Sequence, residues 1–420
     1  MRQLFNHIFL SLFCVIIIFT PDFRFLPYYT WFLSFLGIIT LADKKFYKLI
    51  KFNSAANKDF LYILLLTAIF NVLLVPLLHF TFDFTYAPLN IGVILTLFRN
   101  IFLIYLLHKI CGNRDIEELY CKYYFIACCI YVGFTLYFII NPDFKSFWLE
   151  SIITETKEQT FAAYQFRYSL DGFAAFSSAT VFSFACLFCS FLIVKDSKLN
   201  IGYIISLILM VVGCFFYGRV SLAGMALGAM LILLNGATPI KTMKLVGIVA
   251  GLICMLLFLL NILSQDNEAL VIWQDWAFSF LKQLFIEKEV TDYSVTHMYE
   301  DMYFMPEWTT LLFGDGLYTN KSGSYYMHTD VGFMRLICYG GLISLILTYS
   351  IVFKLVSSMK RINPHKTFNR FIGLSVLLMI ILEMKGECYQ RFIMQLYPLF
   401  LIMNYKNSIV CFNLTKEANE

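Results

Sequence analysis

Apolar runs long enough to cross a bilayer recur from residue 4 to about residue 404, and no polar stretch between them is long enough to fold separately. That recurrence fixes the fold class before any motif is considered. In hydrocarbon every backbone donor and acceptor must be satisfied within its own segment, and no alternating strand pattern suits a barrel, so the runs should be helices. Hydrophobic residues make up 60% of the chain and charged residues only 14%, far from the balance of a soluble domain. We therefore expect an all-α polytopic integral membrane protein, folded as a single transmembrane domain over residues 1 to 420.

Counting runs of helical length gives about twelve spans. They cover residues 4 to 20, 28 to 42, 59 to 79, 88 to 107, 122 to 140, 173 to 194, 201 to 217, 221 to 234, 245 to 263, 332 to 353, 371 to 383 and 392 to 404. The first run lacks a small-residue cleavage site before the next begins, so a retained helix is expected rather than a signal peptide. The 12 cysteines sit mostly inside apolar runs without paired histidines, which argues against a disulfide framework and against a zinc site. A net charge of +4 is too small to imply nucleic acid.

Lys and Arg concentrate in one set of loops, which places both termini in the cytoplasm. DKKFYKLIK (43 to 51) and KLVSSMKRINPHK (354 to 366) then read as cytoplasmic anchors. Two outer loops are long, 141 to 172 and 264 to 328. In the second, Trp273, Trp276, Phe280 and Leu284 recur at helical spacing, as expected of a helix lying on the membrane surface.

The chemistry-bearing residues gather on the outer side. In MHTDVGFMRLICYGG, a helix starting near His328 would set His328 and Arg335 on one face, roughly 10 Å apart along the axis, with Asp330 between them. An unpaired cation a turn inside the boundary costs roughly 3 kcal/mol or more, so Arg335 should face an anion or protein; it could instead snorkel outward to Asp330. Arg167 in FRYSLDGF, Arg219 in YGRVS and Arg391 in KGECYQR flank other spans on the same side. Each alone would be an anchor; together they suggest an anion site, because guanidinium forks bind phosphate oxygens bidentately. Arg99, near mid-bilayer, reads equally as a functional group and as half of a buried pair with Glu383. No GxSxG, P-loop, HExxH or outer-loop DxD pattern occurs, which favours metal-free chemistry without a cofactor.

The order FRYSLDGFAAFSSA, FFYGRVSLAGMALGAMLILL, LLFGDGLY and MHTDVGFMRLICYGGLISL resembles the O-antigen polymerase (Wzy type) and O-antigen ligase superfamily of bacterial membrane glycosyltransferases. The resemblance rests on Arg167 with Gly172, Arg219 with Gly224, Gly314 with Gly316, and His328 with Tyr339 and Gly340. It implies a GT-C-like architecture in the bacterial inner membrane, with a large periplasmic loop between the ninth and tenth helices as a lid. It implies undecaprenyl-diphosphate-linked oligosaccharides as donor and acceptor, a chain-length regulator as protein partner, and no nucleic acid. In that frame His328 is the catalytic base, and Arg219, Arg335, Arg167 and Arg391 hold the diphosphate. Asp330, Arg99 and His297 support them. The chain departs from the ligases at YSVTHMYEDMYF, where His297 stands in place of a loop arginine, which favours polymerase over ligase. A flippase or other transporter is the alternative from another class; it would show half-chain symmetry and mid-membrane ionisable groups.

Overall fold

The computed structural model describes residues 2–112, 116–153, 167–173, 176–195, 201–235, 271–275, 296–321 and 323–417, together with Gly247, Gly251, Phe278 and Gln283. Every expected span falls on a helix except 245 to 263, which lies almost wholly outside those residues. Among the described residues five helices are long and apolar enough to cross a membrane, joined by shorter apolar ones such as Tyr29–Thr40 and Arg219–Leu234. This is the build of a multi-pass membrane protein.

The chain divides into two compact units, Met1–Tyr28 with Glu118–Thr296, and Tyr29–Glu117 with His297–Glu420. The first unit contains α1 (Arg2–Phe19), nearly all of α6 (Ile116–Ile140), α7 (Pro142–Ser151), α8 (Phe176–Lys195), α9 (Ile201–Tyr217) and α10 (Leu222–Leu234). The second contains α2 (Tyr29–Thr40), α3 (Lys44–Leu49), α4 (Ala55–Leu78), α5 (Ala87–Cys111), α11 (Trp308–Phe313), α12 (Gly332–Ile362), α13 (Lys366–Glu383) and α14 (Tyr389–Glu417).

In the first unit, α8 is rich in Ser, Thr and Cys, yet it is buried along most of its length. Three of its hydroxyls are returned to the preceding turn: Thr180 Oγ1 donates to Phe176 O at 3.0 Å, Ser183 Oγ to Ala179 O at 2.9 Å, and Ser190 Oγ to Cys186 O at 3.0 Å. That satisfies them without water and leaves a narrow face. Gly224 and Gly228 of α10 lie against it; a Cβ at Gly224 would collide with the Ser183 carbonyl, and one at Gly228 with Ser190. Close approach through small residues four apart is the usual way two helices associate where lipid gives no hydrophobic drive.

Trp273 departs from the interfacial expectation. It is 1% exposed and packs its ring 4.7 Å from Phe216 of α9, so this part of the loop is folded into the first unit. Trp276, Phe280 and Leu284 lie outside the described residues.

In the second unit two helices are irregular at the same place. Helix α4 contains a π turn at Phe70–Leu74, and α12 leaves helical geometry at Gly340 (φ −134°, ψ 19°) and Gly341 (φ 67°, ψ −165°). Each break frees backbone groups that lipid cannot satisfy, so such backbone survives only against protein or a cavity. Here α12 supplies partners to the π turn: Tyr339 hydroxyl donates to Asn71 O at 2.5 Å, and Ser344 Oγ donates to Asn71 Oδ1 at 2.7 Å. Asn71, Tyr339 and Ser344 are fully buried.

Candidate functional site

The second unit contains the loop that leads into α12, and its folding starts from two glycines. Gly314 (φ 77°) and Gly316 (φ 68°) adopt left-handed backbone, which lets the turn lie flat on the break in α12. There Asp315 N donates to Cys338 O at 2.8 Å and Gly316 N to Tyr339 O at 2.9 Å, supplying the partners that the broken helix lacks. The two sequence motifs, the Gly-x-Gly turn and the Tyr339-Gly340 pair, are therefore one structural device.

The segment 79 to 86 fastens the same loop from another side. His79 Nε2 lies 3.0 Å from Phe313 O, and Thr81 Oγ1 donates to Gly316 O at 2.6 Å. Asp83 Oδ2 accepts from the backbone of Tyr318 at 2.6 Å and of Thr319 at 3.2 Å, while Oδ1 accepts from Thr85. Burial pushes the Asp83 carboxyl up, but the hydrogen bonds from Thr85, Tyr318 and Thr319 outweigh it and hold the group below its usual value. A depressed carboxylate contributes stability above its unfolded pKa and loses that contribution as pH falls through the folded one. Acid should therefore loosen this loop, and Asp83→Asn should flatten the acid limb of a thermal-stability against pH profile; an unchanged limb would show that Asp83 does not fasten it.

Arg335, in the first turn of α12, is buried beneath this loop. Its guanidinium lies 3.6 Å from the ring centroid of Tyr325 and 4.4 Å from that of Tyr318, so it is held between two aromatic faces. Its Nη1 is 3.4 Å from Glu387 Oε2, and its Nη2 donates to the Tyr318 hydroxyl. Glu387 is surrounded by donors: Tyr318 hydroxyl to Oε2 at 2.5 Å, and Tyr86 hydroxyl at 3.1 Å and Gln390 Nε2 at 2.7 Å to Oε1. Burial first, and then the Glu387 charge, push the phenols of Tyr86 and Tyr318 well above their ordinary value, so both remain donors. The arrangement is a buried ion pair in which the carboxylate is fully partnered, while Arg335 Nε has no hydrogen-bond partner among the described residues.

His328 is placed otherwise than the helical spacing predicts. Helix α12 starts at Gly332, because the buried Thr329 turns inward: its Oγ1 donates to Met302 O at 3.0 Å and accepts from Val331 N at 3.3 Å. His328 thus lies in a short turn (Tyr326–His328) outside the helix, and the shared-face argument for His328 and Arg335 does not hold. Its side chain is exposed, as is that of Asp330. Met327 and His328 both have φ of 54°, and Phe80 and Phe82 have φ of 54° and 52°, so four of the six non-glycine residues with positive φ among the described residues lie in this loop and the segment that fastens it, the others being Thr20 and Lys51. Such backbone costs about 1 to 3 kcal/mol per residue and gathers at binding and catalytic sites.

The remaining expected residues fall as follows. Arg391 is half-buried in the first turn of α14, and His297 pairs with Asp301 beside the π turn Met298–Met302. Arg99 is buried in α5 and donates to Thr96 Oγ1. Its expected partner Glu383 caps α14 instead, with Oε1 accepting from Cys388 N at 2.9 Å and Tyr389 N at 2.6 Å. Arg167 and Arg219 belong to the first unit. There Arg167 precedes the hairpin of β1 (Tyr168–Ser169) and β2 (Gly172–Phe173) and donates from Nη2 to Tyr217 O at 2.7 Å. That brings it to the turn that carries Arg219 two residues later. Among the described residues no group of three or more His, Cys, Asp or Glu is arranged to hold a metal.

Glu387, Tyr318, Tyr325, Tyr86 and Asp83 were not singled out from the sequence. Glu387 left one signal, an acid in the short loop KGECYQR of a chain with an unexplained arginine inside an apolar run. No family profile, curated protein or solved structure matches the chain.

Proposed function

We propose that the chain is a glycosyltransferase that polymerises undecaprenyl-diphosphate-linked repeat units at the outer face of a bacterial inner membrane. A hydroxyl of one lipid-linked repeat attacks the anomeric carbon of the sugar on another; the carbon–oxygen bond to the diphosphate breaks, and undecaprenyl diphosphate leaves with the bonding pair. His328 takes the hydroxyl proton. The leaving group needs positive charge rather than a new bond. Arg335 is already balanced by Glu387, so we assign it to holding the loop that presents His328.

The observation that carries this reading is the placement of His328: an exposed imidazole on strained backbone, in a loop clamped to a broken membrane helix by the Gly-x-Gly turn. The test is genetic and chemical together. In cells carrying His328→Ala, the surface glycan should stop at single repeats while the protein still reaches the membrane at normal abundance. Long glycan in that variant would remove the role of His328. Long chains stranded on undecaprenyl diphosphate in a deletion strain would instead indicate a ligase.

A further inference from the structure

A cavity lies at the other end of the same unit, where the residues are basic. Its volume is about 560 Å³, and it is lined by Leu41, Lys44, Tyr47, Lys48, Lys51, Asn53 and Ser54. The local sequence builds it in a definite way. Asp43 caps the short α3, accepting at Oδ1 from Lys45 N at 3.0 Å and Phe46 N at 3.2 Å, while Phe46 and Ile50 are fully buried and pin the inner face. Lys51 has φ of 48° and reverses the chain, so Asn53 and Ser54 return to close the wall.

The charge at this cavity is not balanced by the nearby acids. Asp43 is paired with Lys109 at 3.0 Å and Asp59 with Lys354 at 2.6 Å. Lys44, Lys48 and Lys51 form no salt bridge among the described residues, and all three are exposed. An exposed apolar face adjoins it in the chain: Phe35, Ile38 and Ile39 of α2 are 57%, 48% and 49% exposed, and α2 ends one residue before the lining residue Leu41. At 1.5 Å per residue its 12 residues rise about 18 Å. One leaflet of hydrocarbon is roughly 15 Å deep.

We propose that this cavity binds the headgroup of an anionic phospholipid, with its acyl chain along the exposed face of α2. The three lysines attract the phosphate, Asn53 and Ser54 offer hydrogen bonds to its oxygens, and Tyr47 and Leu41 contact the glycerol and first methylenes. A free phosphate would use the lysines and leave the α2 face bare; a lipid uses both. Clusters of this kind at a membrane boundary recognise acidic headgroups, and each lysine that lines the site should strengthen binding about fivefold.

The full chain, purified in detergent, should bind phosphatidylglycerol in preference to phosphatidylcholine, read as retained lipid by native mass spectrometry and as a rise in melting temperature. The K44Q/K48Q/K51Q variant should bind phosphatidylglycerol about 100-fold more weakly, with its melting temperature in phosphatidylcholine unchanged. Lys45→Gln, next to the cavity but not lining it, should bind as the wild type does, whereas Lys48→Gln should not. Equal losses in Lys45→Gln and Lys48→Gln would mean a diffuse basic surface and overturn the site. A response to inorganic phosphate matching that to phosphatidylglycerol would overturn the lipid as occupant.

Discussion

Arg335→Ala should lower the stability of the folded protein by about 3 to 5 kcal/mol, the cost of stranding one member of a buried ion pair. The substitution leaves Glu387, whose side chain is 3% exposed, as an uncompensated carboxylate. It also removes the cation between Tyr318 and Tyr325, so the loop loses its stacking partner. The effect should be read as a shift in the denaturation midpoint in detergent. The double variant R335M/E387Q should recover most of it, because the desolvated charge disappears together with its partner while the volume is kept. A single variant as stable as the wild type would mean that the guanidinium is not committed to Glu387. Arg335 would then be available to a substrate anion, and its assignment as a loop anchor would fall.

Gly341→Ala should cost about 2 to 6 kcal/mol, from about 1 to 3 kcal/mol for the conformation and a similar amount for overpacking. With φ of 67° and ψ of −165°, Gly341 occupies a region that residues with a Cβ scarcely enter. A Cβ there would also run into the carbonyl of Leu312, and backbone cannot step aside as a side-chain end can. Gly323 provides the control: its φ is 81°, but a Cβ added there would meet nothing within 4 Å, so Gly323→Ala should show the conformational part alone. Equal losses at the two glycines, measured as thermal midpoints, would show that the loop does not press on α12.

Hydropathy made the helices legible because a span must be apolar for its full length, and that signal needs no knowledge of neighbours. The runs near 201 to 217 and 221 to 234 meet helices Ile201–Tyr217 and Leu222–Leu234 almost residue for residue. Short helices such as Lys44–Leu49 and Trp308–Phe313 gave no such signal. The site was legible only in part. Gly314, Gly316, Tyr339 and Gly340 could be noticed as a pattern, yet the reason for it, loop amides capping a broken helix, needs the two segments side by side. Arg335 was recognised as anomalous, but its partner Glu387 is 52 positions away across two helices, and periodicity cannot reach that far. His328 was misplaced because seven-residue spacing places two groups on one face only where the helix is continuous; the inward hydroxyl of Thr329 interrupts it.

The meeting of the π turn in α4 with the break in α12 also limits how this unit can move. Two smooth cylinders can ratchet past each other by a turn, exchanging one set of grooves for the next. Sliding α4 one turn along α12 would withdraw the Tyr339 and Ser344 hydroxyls from Asn71 and leave these buried groups unpartnered in hydrocarbon. Any movement of His328 relative to these helices therefore has to come from the loop that carries it.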